Sequence, residues 1–212
     1  MDLPLLYSAK EIRARIVDEQ TGQPVEGAVV VAQWILAPPS GRGPTLHIAE
    51  SVTNKQGEFF FEAWGPKPKQ PWTYFRHYSP LLSIFKHGYV PLRLHNESIK
   101  SVAKEIPNYK NMSTKELIGA TSWYEGAPKD SVQDCMWNGL NIQIESYSGN
   151  SDRWLELLAI LLFRVEQQDD KKVPQFFRAV AAERDYFKAN PVSRSTQASL
   201  YSFYNRIDQA LK

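Results

Sequence analysis

Apolar and polar positions alternate along residues 11–17, a polar turn carrying Gly22 and Pro24 follows, and residues 25–31 resume as a β-branched run. A period of two broken by Gly and Pro predicts two strands joined as a hairpin in an all-β region. Residues 33–36 continue in the same way and end in a Pro- and Gly-rich loop at 37–44. Residues 47–53 alternate, Asn54-Lys55-Gln56-Gly57 turns, and residues 58–64 read as another strand. Pro66, Pro68 and Pro71 then impose a second loop. Residues 81–86 read as a strand, His87-Gly88-Tyr89 as its turn, and residues 90–94 as a short edge strand in which Pro91 is tolerated. Strand signals in a row with no helix between them predict a sandwich of about seven strands, counting one supplied from further on.

Residues 96–138 carry little periodicity beyond one short capped helix at Ser113-Thr114-Lys115-Glu116-Leu117-Ile118. Residues 140–145 alternate strictly, as a last strand returning to the sandwich would. Beyond them the period becomes helical. Asn150 or Ser151 caps a helix reaching about Gln168, Pro174 opens a second that ends near Asn190-Pro191, and Leu200, Phe203, Tyr204, Ile207 and Leu211 stripe a third. From Trp154 to Phe163 the first of these is apolar nearly all round, which predicts that it lies between the other two helices and the sandwich. The expected organisation is α+β: a sandwich over residues 1–97, a connector over 98–147 holding the last strand, and a three-helix subdomain over 148–212 packed on the sandwich.

Composition narrows the function classes. With 42% hydrophobic residues and Lys+Arg 25 against Asp+Glu 23, the chain is an ordinary globular one, and a net charge of +2 gives no electrostatic footprint for nucleic acid. The single cysteine, Cys135, excludes an intrachain disulfide and a cysteine-built zinc site. The apolar run at 154–163 is interrupted by Glu156 and falls short of the roughly 20 residues that span a bilayer, so no transmembrane segment is expected. Residues 1–9 lack the basic start and apolar core of a secretory signal.

Several segments together resemble the carboxypeptidase regulatory-like domain, a transthyretin-like β-sandwich. They are Arg15-Ile16-Val17-Asp18 with Thr21-Gly22-Gln23-Pro24-Val25-Glu26-Gly27-Ala28-Val29-Val30, then Val52-Thr53-Asn54-Lys55-Gln56-Gly57-Glu58-Phe59, and Phe85-Lys86-His87-Gly88-Tyr89. The resemblance covers somewhat under half the chain and implies a seven-stranded transthyretin-like sandwich that serves as an accessory, adhesion or stability module. The fuller pattern of Trp34, the Gly/Pro loop, His47, Glu50, Trp64-Gly65-Pro66 and a helical tail is similar to a group of bacterial proteins of this superfamily made with secretion or lipoprotein signals. That similarity implies the periplasm or cell envelope, with the cytoplasm as the alternative, and names no activity.

The same opening also resembles intradiol ring-cleavage dioxygenases, in which a related sandwich holds non-haem iron with two Tyr and two His. Tyr74, Tyr78, His77 and His87 invite that comparison, but the family's His-x-His pair is missing, so no metal and no cofactor are expected. 5-Hydroxyisourate hydrolase, another relative of transthyretin, ends in a Tyr-Arg-Gly-Ser motif that residues 208–212 lack. The stretch 64–78 gathers Trp64, Trp72, Tyr74, Phe75 and Tyr78 with Lys67, Lys69, Arg76 and His77. Aromatics among cations suit carbohydrate, peptide or anionic ligands; packing against the helices is the competing expectation. Trp64, Trp72, Tyr74, Phe75, His77 and Tyr78 are the candidate binding residues.

His47 and Glu50, three apart in a strand, point to opposite faces, and an exposed strand-end histidine is expected. His95 has a surface role, Cys135 reads as a buried small hydrophobe, and Asp169-Asp170 with Lys171-Lys172 as a solvated turn. Nucleophile elbows, P-loops and dinucleotide fingerprints are all lacking. The leading expectation is a non-enzymatic envelope module that binds or scaffolds a protein partner; an enzyme on a transthyretin-like sandwich and a carbohydrate binder are the alternatives.

Overall fold

The computed structural model describes residues 5–36, 43–75, 79–121, 131–163, 165 and 167–212. Its strands are β1 (Leu6–Ala9), β2 (Ile12–Asp18), β3 (Val29–Ile35), β4 (Thr45–Val52), β5 (Glu58–Phe61), β6 (Trp64–Pro68), β7 (Leu81–Phe85) and β8 (Leu92–Leu94). Helices α1 (Ile99–Glu105) and α2 (Thr114–Thr121) precede β9 (Val132–Gln133) and β10 (Asn141–Ile144). Helices α3 (Ser151–Phe163), α4 (Pro174–Ala181), α5 (Glu183–Ala189) and α6 (Gln197–Ala210) complete an α+β chain. Most of the loop expected at 37–44 lies outside the described residues.

Among the described residues there are ten strands in three sheets, not seven in two: β6-β1-β9, β10-β2-β5 and β4-β3-β7-β8. The third is antiparallel throughout, whereas β1 is parallel to β9 and β2 to β10. The expected hairpin is replaced by a crossover, for β2 and β3 belong to different sheets. Asp18 accepts from the N–H of Thr21 at 2.8 Å and organises the turn, and Val17 and Pro24 form a lone bridge. Gly27, at φ 71°, then carries the chain over. Thr53 pins this step, its hydroxyl donating to Val25 O at 2.7 Å and accepting from Ala28 N at 2.8 Å. Ile12, Ile16, Phe59 and Ile142 on one side and Val30, Ala32, Trp34, Leu82 and Ile84 on the other share one apolar core.

Residues 64–68 form a strand despite Pro66 and Pro68, because β6 is an edge and its outer side has no ladder to supply with N–H groups. The capped helix expected at 113–118 is present. Ser113 Oγ accepts from Glu116 N at 3.3 Å while Glu116 accepts from Ser113 N at 2.8 Å, a reciprocal capping box. Thr114 and Gln143 exchange hydrogen bonds of 2.7 and 3.2 Å, which seat α2 on β10.

The described residues of 151–210 hold four α-helices instead of three. The first stops at Phe163, a 3-10 helix spans Gln167–Lys172, and the second divides at Ala182, whose N–H is shared by Arg178 O and Val180 O. The opposite face of β3 and its neighbours receives them: Val29, Val31, Ile48 and Phe85 join Trp154, Leu158, Phe176, Phe177, Val180 and Ile207 in a second core. The helix laid on the sheet is α4, which contacts β3, β4 and β7. Burying Phe176, Phe177 and Val180 contributes about 1.5–3 kcal/mol each, more than an eight-residue helix gains from its own propensity. The central position expected for α3 is therefore taken by α4, and α3 leaves Ile160 54% and Phe163 68% exposed.

Asp169 and Asp170 are buried, not solvated. Arg206 clasps Asp170 at 2.8 Å and also donates to Leu162 O and Val165 O, each at 2.6 Å. No helix among the described residues is long and apolar enough to cross a membrane.

Candidate functional site

Of the residues expected to form one binding loop, the four described ones differ in their surroundings. Trp64 is half-buried in β6, edge-on to Trp34 at 5.4 Å and 4.8 Å from His47. Phe75 is buried against Tyr7, their rings 4.6 Å apart, and Tyr74 is half-buried. Trp72 alone of these projects freely, 85% exposed at φ 63°. The turn that carries it is tied by Lys69 Nζ donating to Thr73 O and Thr73 Oγ1 to Gln70 O, both at 2.6 Å. His77 and Tyr78, with Arg76, lie outside the described residues.

The histidines are placed by packing. Contrary to the exposed strand-end role expected, His47 sits among Trp34, Trp64 and Lys67, whose ammonium is 2.9 Å from Nδ1. Burial first, then the charges of Lys67 and Lys172, drives the imidazole down to about 4. It is therefore neutral near pH 7, and Nδ1 accepts from Lys67. Glu50, on the other face of β4, accepts from Gln175 N at 3.0 Å and Phe176 N at 2.9 Å, closing the N-terminus of α4. His87 Nδ1 is 2.8 Å from the buried Glu183, which also accepts from Trp154 Nε1 at 2.7 Å. These contacts join the β7–β8 turn to α3 and α5. Burial pushes the Cys135 thiol up to about 12, so it carries no thiolate. Among the described residues no three His, Cys, Asp or Glu side chains gather as a metal-binding group.

Two recesses stand out among the described residues. A groove of about 400 Å³ runs between α3 and α6, with Ala159, Leu162 and Phe163 along one side and Ala198, Ser202 and Phe203 along the other. Ala198, Ser199 and Ser202 are the small residues on the α6 side, and Arg206 also lines the groove. The second is a cleft of about 350 Å³ lined by Lys10, Glu97, Lys100, Ser131, Gln133 and Asp134. Buried Asn96 frames it, donating to Ser79 O at 2.7 Å and Asp134 O at 2.5 Å and accepting from Met136 N at 2.7 Å. Glu97, 9% exposed, receives no hydrogen bond or ion pair from any described residue, and burial pushes its carboxyl up to about 7.

No protein-family model matches this sequence, and no curated protein matches it. Site geometry is thus the basis for assigning function. Sequence reasoning missed both recesses. Glu97 lies in the aperiodic stretch 96–138 with nothing local to mark it. The groove had one signal, the all-round apolar character of 154–163, which reads equally well as a buried helix.

Proposed function

We propose that the chain is a non-catalytic protein-binding module of the bacterial cell envelope, built on a transthyretin-like sandwich of the carboxypeptidase regulatory-like kind. The observation that carries the binding reading is the α3–α6 groove. An apolar trough edged by Phe163 and neighboured by exposed Ile160 is the surface an amphipathic helix or an extended apolar segment occupies on a partner protein. The fold reading is supported by two sheet faces sharing one core and by Gly27 and Gly57 at positive φ within the matching motifs. The envelope reading rests on the pattern of Trp34, His47, Glu50 and Trp64-Gly65-Pro66.

The test is selection from a displayed peptide library on the full chain. Amphipathic or apolar peptides should be enriched, bind the folded protein, and lose at least tenfold in affinity on Phe163→Glu or Ile160→Glu while the melting temperature stays unchanged. Peptides that bind the variants as well as the parent would sink the groove reading. Carbohydrate binding is a second reading, favoured by the exposure of Trp72. It requires soluble glycans to quench tryptophan fluorescence in the parent and not in Trp72→Ala.

A further inference from the structure

Among the described residues the buried acids are, with one exception, met by donors. Asp18 accepts from Thr21, Asp169 from Lys172, Asp170 from Arg206, and Glu183 from Trp154 and His87. Glu97 is the exception among the described residues, and it lines a cleft instead of a packed core. A buried carboxyl without a donor is costly when ionised, and no described residue around it supplies one. Its walls are fixed. Ser8 N donates to Ser131 O at 2.9 Å and Lys10 N to Gln133 O at 3.0 Å, while Trp137 Nε1 donates to His95 O at 2.7 Å. These bonds give the cleft a preformed frame, as in a binding site.

Charge defines what would fit. Lys10 is already engaged by Asp134 at 2.9 Å, which leaves exposed Lys100 as the other cation among the described residues that line the cleft with Glu97. A plain polycation is opposed by the lysine and a plain polyanion by the glutamate. An ammonium and a carboxylate on one small molecule satisfy both, and about 350 Å³ lies at the small-molecule end of the range for ligand pockets. We propose that this cleft binds a small zwitterion of the amino-acid kind, its ammonium held by the Glu97 carboxylate and its carboxylate by the Lys100 ammonium.

The experiment is an amide chemical-shift titration of the full chain with a panel of L-amino acids, with ethylamine and acetate as the two half-ligands. At least one amino acid should give saturable shifts confined to residues 97–100 and 131–134, with ethylamine and acetate at least tenfold weaker. Glu97→Gln should abolish binding, and Lys100→Met, a change to an exposed side chain, should weaken the amino acid at least tenfold while leaving ethylamine unaffected. The proposal is overturned if no amino acid produces saturable shifts at millimolar concentration, if binding survives both substitutions, or if ethylamine binds as well as the amino acids.

Discussion

Arg206 provides the sharpest test of how the helical layer is held. Its guanidinium donates to Leu162 O, Val165 O and Asp170, and lies 5.9 Å from the Phe177 ring, so it ties the end of α3 and the 3-10 helix to α6. The Asp170 side chain is only 4% exposed. Burial raises its carboxyl above the ordinary 3.8 even though Arg206 pulls it down. Replacing Arg206 with Met keeps the aliphatic bulk and strands both the carboxylate and two carbonyl oxygens. Removing one partner of a buried pair costs about 3–5 kcal/mol. For a chain of this length that corresponds to a fall in melting temperature of roughly 6–20 °C. Removing both charges in Arg206→Met/Asp170→Asn should recover the part of the loss that comes from the stranded carboxylate, while the Leu162 and Val165 carbonyls stay without this donor. The sign of the pH dependence follows. A carboxyl raised in the folded state contributes stability that is present when protonated and lost as pH rises through the folded value, so the Arg206→Met deficit should narrow on acidification. Urea unfolding followed by circular dichroism near pH 7 and near pH 5 measures both effects. A loss below about 1 kcal/mol, as for an exposed ion pair, or a double variant no better than the single one, would refute the reasoning.

Glu50→Ala should cost about 1–2 kcal/mol by uncapping α4, with Glu50→Gln retaining much of the contact; equal unfolding midpoints for parent and Ala variant would contradict this. Glu97→Gln should match the parent in stability below the ordinary carboxyl value of 4.5, and exceed it progressively as pH rises to about 7, beyond which the difference levels off. Melting curves that stay superimposed across that span would show that the carboxyl is not desolvated. Cys135 should resist a disulfide reagent in the native protein and react at once in denaturant, and native labelling at the denatured rate would mean that the thiol is exposed.

Features set by neighbours a few residues apart were legible in the sequence. The alternation of β2, β4 and β10, the Ser113–Glu116 capping box and the start of α4 at Pro174 follow from strand pleat, side-chain reach and the fixed φ of proline, all local properties. Strands β1, β6 and β9 were not legible. One carries two prolines and another is two residues long, so neither shows a period, and only the ladders to β1 make them strands. The apparent hairpin became a crossover through Thr53, which bonds to residues 25 and 28 positions away in sequence. Composition likewise showed an apolar helical segment at 154–163 without deciding which helix would lie on the sheet. That was settled by where α4 could place Phe176, Phe177 and Val180 against β3 and β7. The same separation governs the polar groups. Whether Asp170 is solvated or clasped, and whether Glu97 has a donor, depends on side chains far away in the chain, because burial and hydrogen bonding are properties of the assembled tertiary structure and leave no trace in local periodicity.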